Sequence, residues 1–270
     1  MLRDITIGQY YEEKSIIHSL DPRVKLFGSL VYMIALFLAK NIIGYGIAAI
    51  FLIVIIKLSK VPFKFIFKGL KTIVFFLLFS AIFSVIFTEG TVLIDLKIFA
   101  ITIEGLLKGA MLMARLALMI MGMSILTYTT TPTDIADGLE KAFSPLKKIK
   151  VPVHDISMMV SIAFRFIPIL VEETDKIMKA QMARGADFDT GGIIKKAKAL
   201  VPLIIPLIIS SIKRAMDLAM AMEARCYKGG DGRTKMKPLI YKKYDKISYM
   251  VLILLLVLVI GGNFLWKVIV

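Results

Sequence analysis

The sequence is poor in the residue types that build metal and redox sites. It contains one cysteine, Cys226, and two histidines, His18 and His154, among 270 residues. A single cysteine excludes an internal disulfide and a multi-cysteine metal site, and it fits a reducing compartment. The two histidines stand apart from each other, without the second histidine and the glutamate of a metal-hydrolase helix. We therefore predict no metal site in this chain.

The motifs of nucleotide and hydrolytic chemistry are also missing. No Gly-x-x-x-x-Gly-Lys-Ser/Thr loop occurs, so the chain does not bind ATP in the P-loop manner, and no serine lies in a nucleophile elbow. Carboxylates of the second half lie near lysines and arginines at helical spacing, which is typical of a solvated, ion-paired face. These carboxylates are Glu172, Glu173, Asp175, Asp217 and Glu223. We expect a non-enzymatic protein with no catalytic residues and no cofactor of its own.

Acidic residues are outnumbered, and apolar residues dominate. The chain has 35 Lys and Arg against 20 Asp and Glu, and 58% of its residues are hydrophobic. The mean hydropathy of +0.79 is far above that of a soluble domain. Its basic residues flank apolar blocks, as the positive-inside rule describes, whereas the basic, aromatic-studded surface of a nucleic-acid-binding domain is missing. The composition predicts a multi-pass protein of the lipid bilayer with no nucleic-acid partner.

Five apolar blocks are predicted to span the membrane. They are Leu26–Ala39, Ile42–Leu58, Thr72–Thr88, Leu106–Tyr128 and Ile247–Trp266. The first block is short for a hydrocarbon core of roughly 30 Å, which leaves open whether it fully crosses. The lysine-rich segment 57–71 is assigned to the cytoplasm. This assignment places the N-terminus inside, the segment 89–104 outside and the C-terminus outside, and the runs 92–94 and 98–103 are predicted to pair as a hairpin.

Two features of the predicted spans have two interpretations each. Arg115, in the fourth span, either faces the bundle interior or snorkels to an interface, and we favour snorkelling. Asp21-Pro22-Arg23 precedes the first span, where Asp21 can cap a helix and Pro22 suits its first position. That motif therefore either begins a helix only or has a further role.

The segment 129–245 is too polar and too long for a connecting loop, yet too apolar for a water-soluble domain. Its pattern predicts three amphipathic helices, a short one at 132–143 and two long ones that end near Arg184 and Arg225. We assign the segment to the cytoplasm or the membrane interface, between a region 1–128 with four spans and a region 246–270 with the fifth. The predicted fold is an all-α membrane protein of about five transmembrane helices and three amphipathic coupling helices.

Both long helices end in the same pattern. The two ends read Ala180-Gln-Met-Ala183-Arg184-Gly185 and Ala221-Met-Glu-Ala224-Arg225-Cys226. One interpretation is capping, since arginine favours the negative end of the helix dipole and glycine supplies a left-handed stop. The other is docking, since alanines one turn apart clear a face from which an arginine can bind a partner carboxylate through two hydrogen bonds. The duplication favours docking.

Four motifs, in this order along the chain, resemble the transmembrane (T) component of energy-coupling factor transporters. They are Asp21-Pro22-Arg23-Val24-Lys25-Leu26, Thr131-Pro132-Thr133-Asp134, Arg165-Phe166-Ile167-Pro168 and Ala183-Arg184-Gly185. The resemblance implies an all-helical scaffold in a bacterial or archaeal cell membrane. Such a scaffold joins two cytoplasmic ABC-type ATPases, which bind ATP and magnesium, to a small substrate-binding S-component.

The resemblance also implies which residues make these contacts. ATPase docking falls on two triplets, Ala183, Arg184 and Gly185, and Ala224, Arg225 and Cys226. Cys226 stands where the family has glycine; it is small enough to be tolerated, but a left-handed turn is less assured there. Contact with the S-component is assigned to an apolar face formed by Ile156, Met159, Val160, Ala163, Phe164 and Ile167.

The cargo that the resemblance implies is a vitamin or a related micronutrient. A similar T component serves cobalt or nickel importers, which is the first alternative. The second is a stand-alone secondary transporter, which would need inverted repeats and polar or broken spans at the membrane midplane. The sequence does not identify the substrate.

Overall fold

The protein is described here by a computed structural model that covers residues 10–95, 100–149, 151–186, 188, 192–229 and 238–269. Its helices are α1 (Pro22–Leu38), α2 (Ile42–Ser59), α3 (Phe63–Phe87), α4 (Ile103–Thr129), α5 (Pro132–Ala142), α6 (Val153–Ala183), α7 (Ile193–Ala224) and α8 (Lys243–Ile269). A short 3₁₀ helix, Ser144–Ile149, lies between α5 and α6. The predicted all-α membrane class is confirmed.

A small hairpin between α3 and α4 is the exception to this helical architecture among the described residues. Strands β1 (Val92–Asp95) and β2 (Ala100–Thr102) pair antiparallel, with Ile94 opposite Ile101. The predicted hairpin is therefore confirmed at these residues, while residues 96–99 lie outside the described ones. Thr102 ends the hairpin and caps α4, because its side chain accepts a hydrogen bond from the Gly105 N–H at 3.1 Å.

Within the described residues, five helices are long and apolar enough to cross a membrane. They are Ile42–Ser59, Ile103–Thr129, Val153–Ala183, Lys198–Ala224 and Lys243–Phe264, and the two halves of α3, bent by 59°, would make a sixth. The predicted number holds, but the set differs from the predicted spans. With 17 residues, α1 is only about 26 Å long at 1.5 Å per residue, short of a core of roughly 30 Å.

Helices α6 and α7 enter this set although the sequence pattern assigned them to the cytoplasm or the interface. The assignment of α7 to the interface rested on the segment 200–209, which alone is too short to span a bilayer. Small and apolar residues extend the apolar stretch of α7 well beyond that segment. Length and composition thus permit α6 and α7 to cross. Their placement at the interface stays a prediction.

The chain divides into two compact units. The bundle unit contains α1–α4, the hairpin and α8, and it runs to Gly138 and resumes at Leu239. The helix-pair unit spans Leu139–Pro238 and contains α6 and α7. The division of the sequence at 128 and 245 stays a prediction, close to these limits.

Small residues allow the helices of the bundle unit to approach closely. Ala35, Ala39 and Ala48 are fully buried, and a Cβ added at Gly44 would lie 3.1 Å from the Ala39 methyl group. Helices α1 and α2 pack on α4 and α8, and α3 packs along α4. Close backbone approach is how helices associate in lipid, where burial of apolar surface gives no net driving force.

Arg115 faces the interior of the bundle unit, so the preferred snorkelling interpretation is wrong. Its Nε donates to the Tyr45 hydroxyl at 2.8 Å, and its Nη2 donates to the Ala39 carbonyl at 3.2 Å. Ala39 is the C-cap of α1, whose last carbonyls have no partner within the helix. Because α1 is short, its C-terminal end lies beside the middle of α4, where the Arg115 guanidinium can donate a hydrogen bond to the Ala39 carbonyl.

The Asp21-Pro22-Arg23 motif does more than begin a helix. Asp21 caps α1 by accepting the Arg23 N–H, and the two side chains form a 2.8 Å ion pair. The Arg23 guanidinium also lies 3.9 Å from the centre of the Tyr241 ring. Asp245 is 1% exposed and accepts the N–H groups of Asp21 and Lys242, at 2.9 and 2.6 Å. The motif therefore fastens the start of α1 to the start of α8.

Replacing Asp245 tests this connection. Asp245→Ala leaves the buried Asp21 N–H and the partly buried Lys242 N–H without an acceptor, so we expect a loss of about 2–4 kcal/mol in the free energy of unfolding. Thermal unfolding of the purified chain in detergent measures the change. The matched control is Asp217→Ala on the exposed face of α7, which should stay within about 0.5 kcal/mol of wild type. Equal midpoints for the two variants would contradict the anchoring role.

Candidate functional site: two arginine-tipped helix ends

Helix α6 ends in a complete Schellman motif. Arg184 is the C-cap residue, and Gly185 follows in the left-handed region with φ of 88°. The Gly185 N–H donates to the Met182 carbonyl at 2.9 Å, and the Ala186 N–H donates to the Gln181 carbonyl at 3.0 Å. These two bonds define the motif and satisfy carbonyls that the helix leaves unpaired.

Helix α7 ends in the same way, with cysteine in the place of glycine. The Cys226 N–H donates to the Glu223 carbonyl at 2.8 Å, and the Tyr227 N–H donates to the Met222 carbonyl at 3.0 Å. Cys226 has φ of 57°. The left-handed turn is therefore present at this position, although cysteine favours it less than glycine does. This conformation costs a residue with a Cβ about 1 kcal/mol more than glycine.

The residues around both caps are exposed. Arg184 and Arg225 are exposed, as are the alanines that precede them, Ala183 and Ala224. Neither guanidinium forms a hydrogen bond or an ion pair to another part of the described chain. Each helix therefore ends in an exposed arginine between two small residues.

Helices α6 and α7 pack against each other in opposite directions. Arg214 Nη2 on α7 forms a 2.8 Å ion pair with Glu173 Oε2 on α6. Beyond the end of α7, the Tyr227 hydroxyl lies 2.9 Å from the Met158 sulfur, near the start of α6. The Arg225 tip is thus close to the start of α6, whereas the Arg184 tip is at its end. At about 1.5 Å per residue, the two tips are roughly 30–40 Å apart.

The start of α6 is fastened by a buried carboxylate that the sequence pattern did not reveal. Glu140 accepts from the Ser157 hydroxyl at 2.9 Å, and its other oxygen lies 3.0 Å from His154 Nδ1. His154, which is isolated in the sequence, therefore has a partner. The serine and the histidine both contact the carboxylate rather than each other, so the trio lacks the serine–histidine bond of a hydrolase. No recognisable spacing links these residues, because they meet only when α6 folds back past the 3₁₀ helix.

Comparison with known proteins decides the family. The family model CbiQ, described as cobalt transport protein, matches residues 13–236. The energy-coupling factor transporter transmembrane protein EcfT of Clostridium kluyveri is 48% identical over 268 residues, covering 98% of this chain and 99% of that protein. The chain belongs to the EcfT family. EcfT of Bacillus subtilis is 44% identical over 256 residues, covering 94% and 97% of the two chains, and EcfT of Macrococcus caseolyticus is 41% identical over 261 residues, covering 96% and 98%.

The apolar face predicted on α6 is open in this EcfT-family chain. Ile156 and Met159 are 47% and 58% exposed, Val160 and Ala163 are also exposed, and Phe164 and Ile167 are half-buried. Exposed aliphatic residues of α7 add to the apolar surface of the helix-pair unit; they are Val201, Ile204, Ile205, Ile208, Ile209 and Ile212. Contact of the α6 face with an S-component stays a prediction.

Exchanging residues at the two caps tests their conformation. Gly185→Ala places a Cβ in open space but in the left-handed region, so we expect a loss of about 1 kcal/mol in unfolding free energy. Cys226→Gly should gain a similar amount. Thermal unfolding in detergent measures both changes. As a control, Gly46→Ala in the ordinary backbone of α2, where nothing lies within 4 Å of the added Cβ, should stabilise the chain. A stabilising Gly185→Ala would contradict the left-handed cap.

Proposed function

We propose that this chain is the membrane scaffold of an energy-coupling factor importer. Its Arg184 and Arg225 tips would each dock in a groove of one cytoplasmic ABC-type ATPase. The observation that carries the proposal is the presence of two equivalent arginine caps at opposite ends of one helix pair. A separation of roughly 30–40 Å is too large for a single groove, so two tips require two docking sites.

The chemistry of the tips suits an acidic partner groove. A guanidinium can donate two parallel hydrogen bonds to a carboxylate, and each such charge-assisted bond contributes roughly 1.5–3 kcal/mol. Ala183 and Ala224 keep the helix surface narrow beside each arginine. Gly185 and Cys226 turn the chain at once, so that the helix ends where the arginine begins to project.

Transmission would run through the helix pair. ATP binding closes the ATPase dimer and changes the spacing of the two tips. The ion pair between Glu173 and Arg214 holds α6 and α7 together while this spacing changes. The apolar face of α6 passes the movement to the S-component, which reorients and releases its cargo inside. Such coupling requires a two-state element, and Pro168, Pro202 and Pro206, which lie inside α6 and α7, are the candidate positions for it.

The partner ATPases would bind ATP and magnesium, and the S-component would bind the substrate. In this arrangement the N-terminus lies in the cytoplasm and the C-terminus outside. We favour a vitamin or a related micronutrient as cargo, in line with the resemblance of the sequence motifs. The description of the matching family as cobalt transport protein favours cobalt or nickel as the alternative.

Charge reversal at the tips tests the proposal. Wild type, Arg184→Glu and Arg225→Glu are each co-expressed with candidate ABC ATPases and S-components. We expect each reversal to lower the ATPase retained on the purified chain at least tenfold and to uncouple ATP hydrolysis from uptake, because a carboxylate repels an acidic groove. Arg225→Lys should fall between, since it keeps the charge but loses the planar fork.

The matched control is Lys213→Glu, which reverses an exposed charge on α7 twelve positions before Arg225. It should behave as wild type. If the ATPases never associate, the scaffold proposal is wrong; if the arginine reversals match the control, the arginines only cap helices. Uptake of labelled vitamins, cobalt or nickel separates the cargo alternatives, and uptake by the chain alone in liposomes would support a stand-alone transporter.

A further inference from the structure

A cavity of about 250 Å³ lies at one end of the bundle unit. It is lined by the N-terminal parts of α1 and α8, the C-terminal parts of α2 and α4, and the segment before α1. Most of the side chains that line it are apolar, among them Leu20, Phe51, Ile55, Leu126 and Val251. Lys25 also borders the cavity, but its ammonium donates to the carbonyls of His18 and Thr129, at 3.0 and 2.8 Å. The cavity is therefore a site for an apolar group.

An open groove of about 760 Å³ adjoins this cavity. The linings of the two share Ile16 and Leu58, so the groove and the cavity lie side by side, bordered by the same two side chains. Both residues are large, apolar and exposed, at 48% and 42%. A polar surface and an apolar space thus meet along a common edge.

The groove is basic. Lys14, Lys57 and Lys60 line it and are exposed, and in the part of the chain that the structure describes none of them forms an ion pair. Glu13 is the acidic residue among the lining, so three lysines against one glutamate leave a net charge of +2. His18 adds no charge at neutral pH, because burial lowers the pKa of its imidazole. Its Nε2–H donates to the Tyr11 carbonyl at 2.9 Å, and its Nδ1 lies 2.7 Å from the Ser15 hydroxyl.

Helix capping alone does not account for these lysines. Lys57 lies in the last turn of α2, where a cation favours the helix dipole, and Lys60 is the C-cap, in the left-handed region with φ of 58°. Capping requires neither Lys14, which comes from a separate segment, nor a cavity beside the helix end. The combination of groove and cavity has the two-part chemistry of a lipid.

We propose that the groove and the cavity together bind one anionic phospholipid. The phosphate headgroup lies among Lys14, Lys57 and Lys60, and one acyl chain passes between Ile16 and Leu58 into the cavity. Juxtamembrane lysines attract anionic headgroups of the cytoplasmic leaflet, and burial of each methylene group adds to the affinity. Free phosphate would leave the cavity unused, and a neutral lipid would leave the lysines without counter-charges. This inference is independent of the proposed docking of ATPases.

Lipid retention by the full-length chain tests the proposal. The purified, delipidated chain is exposed to mixed micelles with equal amounts of phosphatidylglycerol and phosphatidylcholine of the same acyl chains, and the lipid retained after washing is quantified by mass spectrometry. We expect at least fivefold more phosphatidylglycerol than phosphatidylcholine on wild type. The double variant Lys57→Gln, Lys60→Gln should lose this preference.

The control for charge is Lys198→Gln, Lys213→Gln, which removes two exposed lysines of the helix-pair unit and should keep the preference. The control for the cavity is Ser29→Phe or Ser248→Phe, each of which fills the cavity while the lysines remain, and retention should fall at least fivefold. Unfolding midpoints in neutral detergent identify which of these two variants keeps the fold. Equal retention of the two lipids by wild type, an equal loss in both lysine double variants, or full retention in a folded cavity variant would each overturn the site.

Discussion

Hydrocarbon offers no hydrogen bonds, so every backbone polar group that lies in the membrane core must find a partner within the protein. A helix meets that requirement along its length but leaves four N–H groups and four carbonyls open at its two ends. The described helices resolve their ends in different ways. Arg115 serves the C-terminal end of α1, Asp245 joins the starts of α1 and α8, and the Schellman bonds after Arg184 and Arg225 close α6 and α7.

The helix ends of the bundle unit and those of α6 and α7 are closed in different ways. Inside the bundle unit, Arg115 and Asp245 bind backbone groups at the ends of α1 from other helices, and these contacts fix the helices to one another. The ends of α6 and α7 are closed by their own backbone. The side chains of Arg184 and Arg225 are therefore not needed for capping and remain exposed. The capping interpretation is confirmed, and the docking interpretation stays a prediction.

Much of the fold could be predicted from apolar blocks and local capping residues, because both are local properties of a helix. Asp21 caps α1 as its position indicates, and the hairpin before α4 forms. Arg115 was misplaced because its partner is a carbonyl at the end of another helix, which no local pattern contains. For the same reason the Glu140–His154 contact was missed. The repeated arginine pattern identified both helix ends, but their separation depends on how α6 and α7 pack, which the sequence does not encode in any recognisable spacing.

The ion pair between Glu173 and Arg214 has a mechanical consequence. Eleven positions separate Glu173 from Arg184, and eleven separate Arg214 from Arg225. At about 1.5 Å per residue, each arginine is roughly 16 Å from this contact. Both arginines therefore lie at the same distance from this contact. A rotation of about 10° around it displaces each of them by roughly 3 Å. A rotation of the helix pair around this contact therefore moves neither arginine farther than the other.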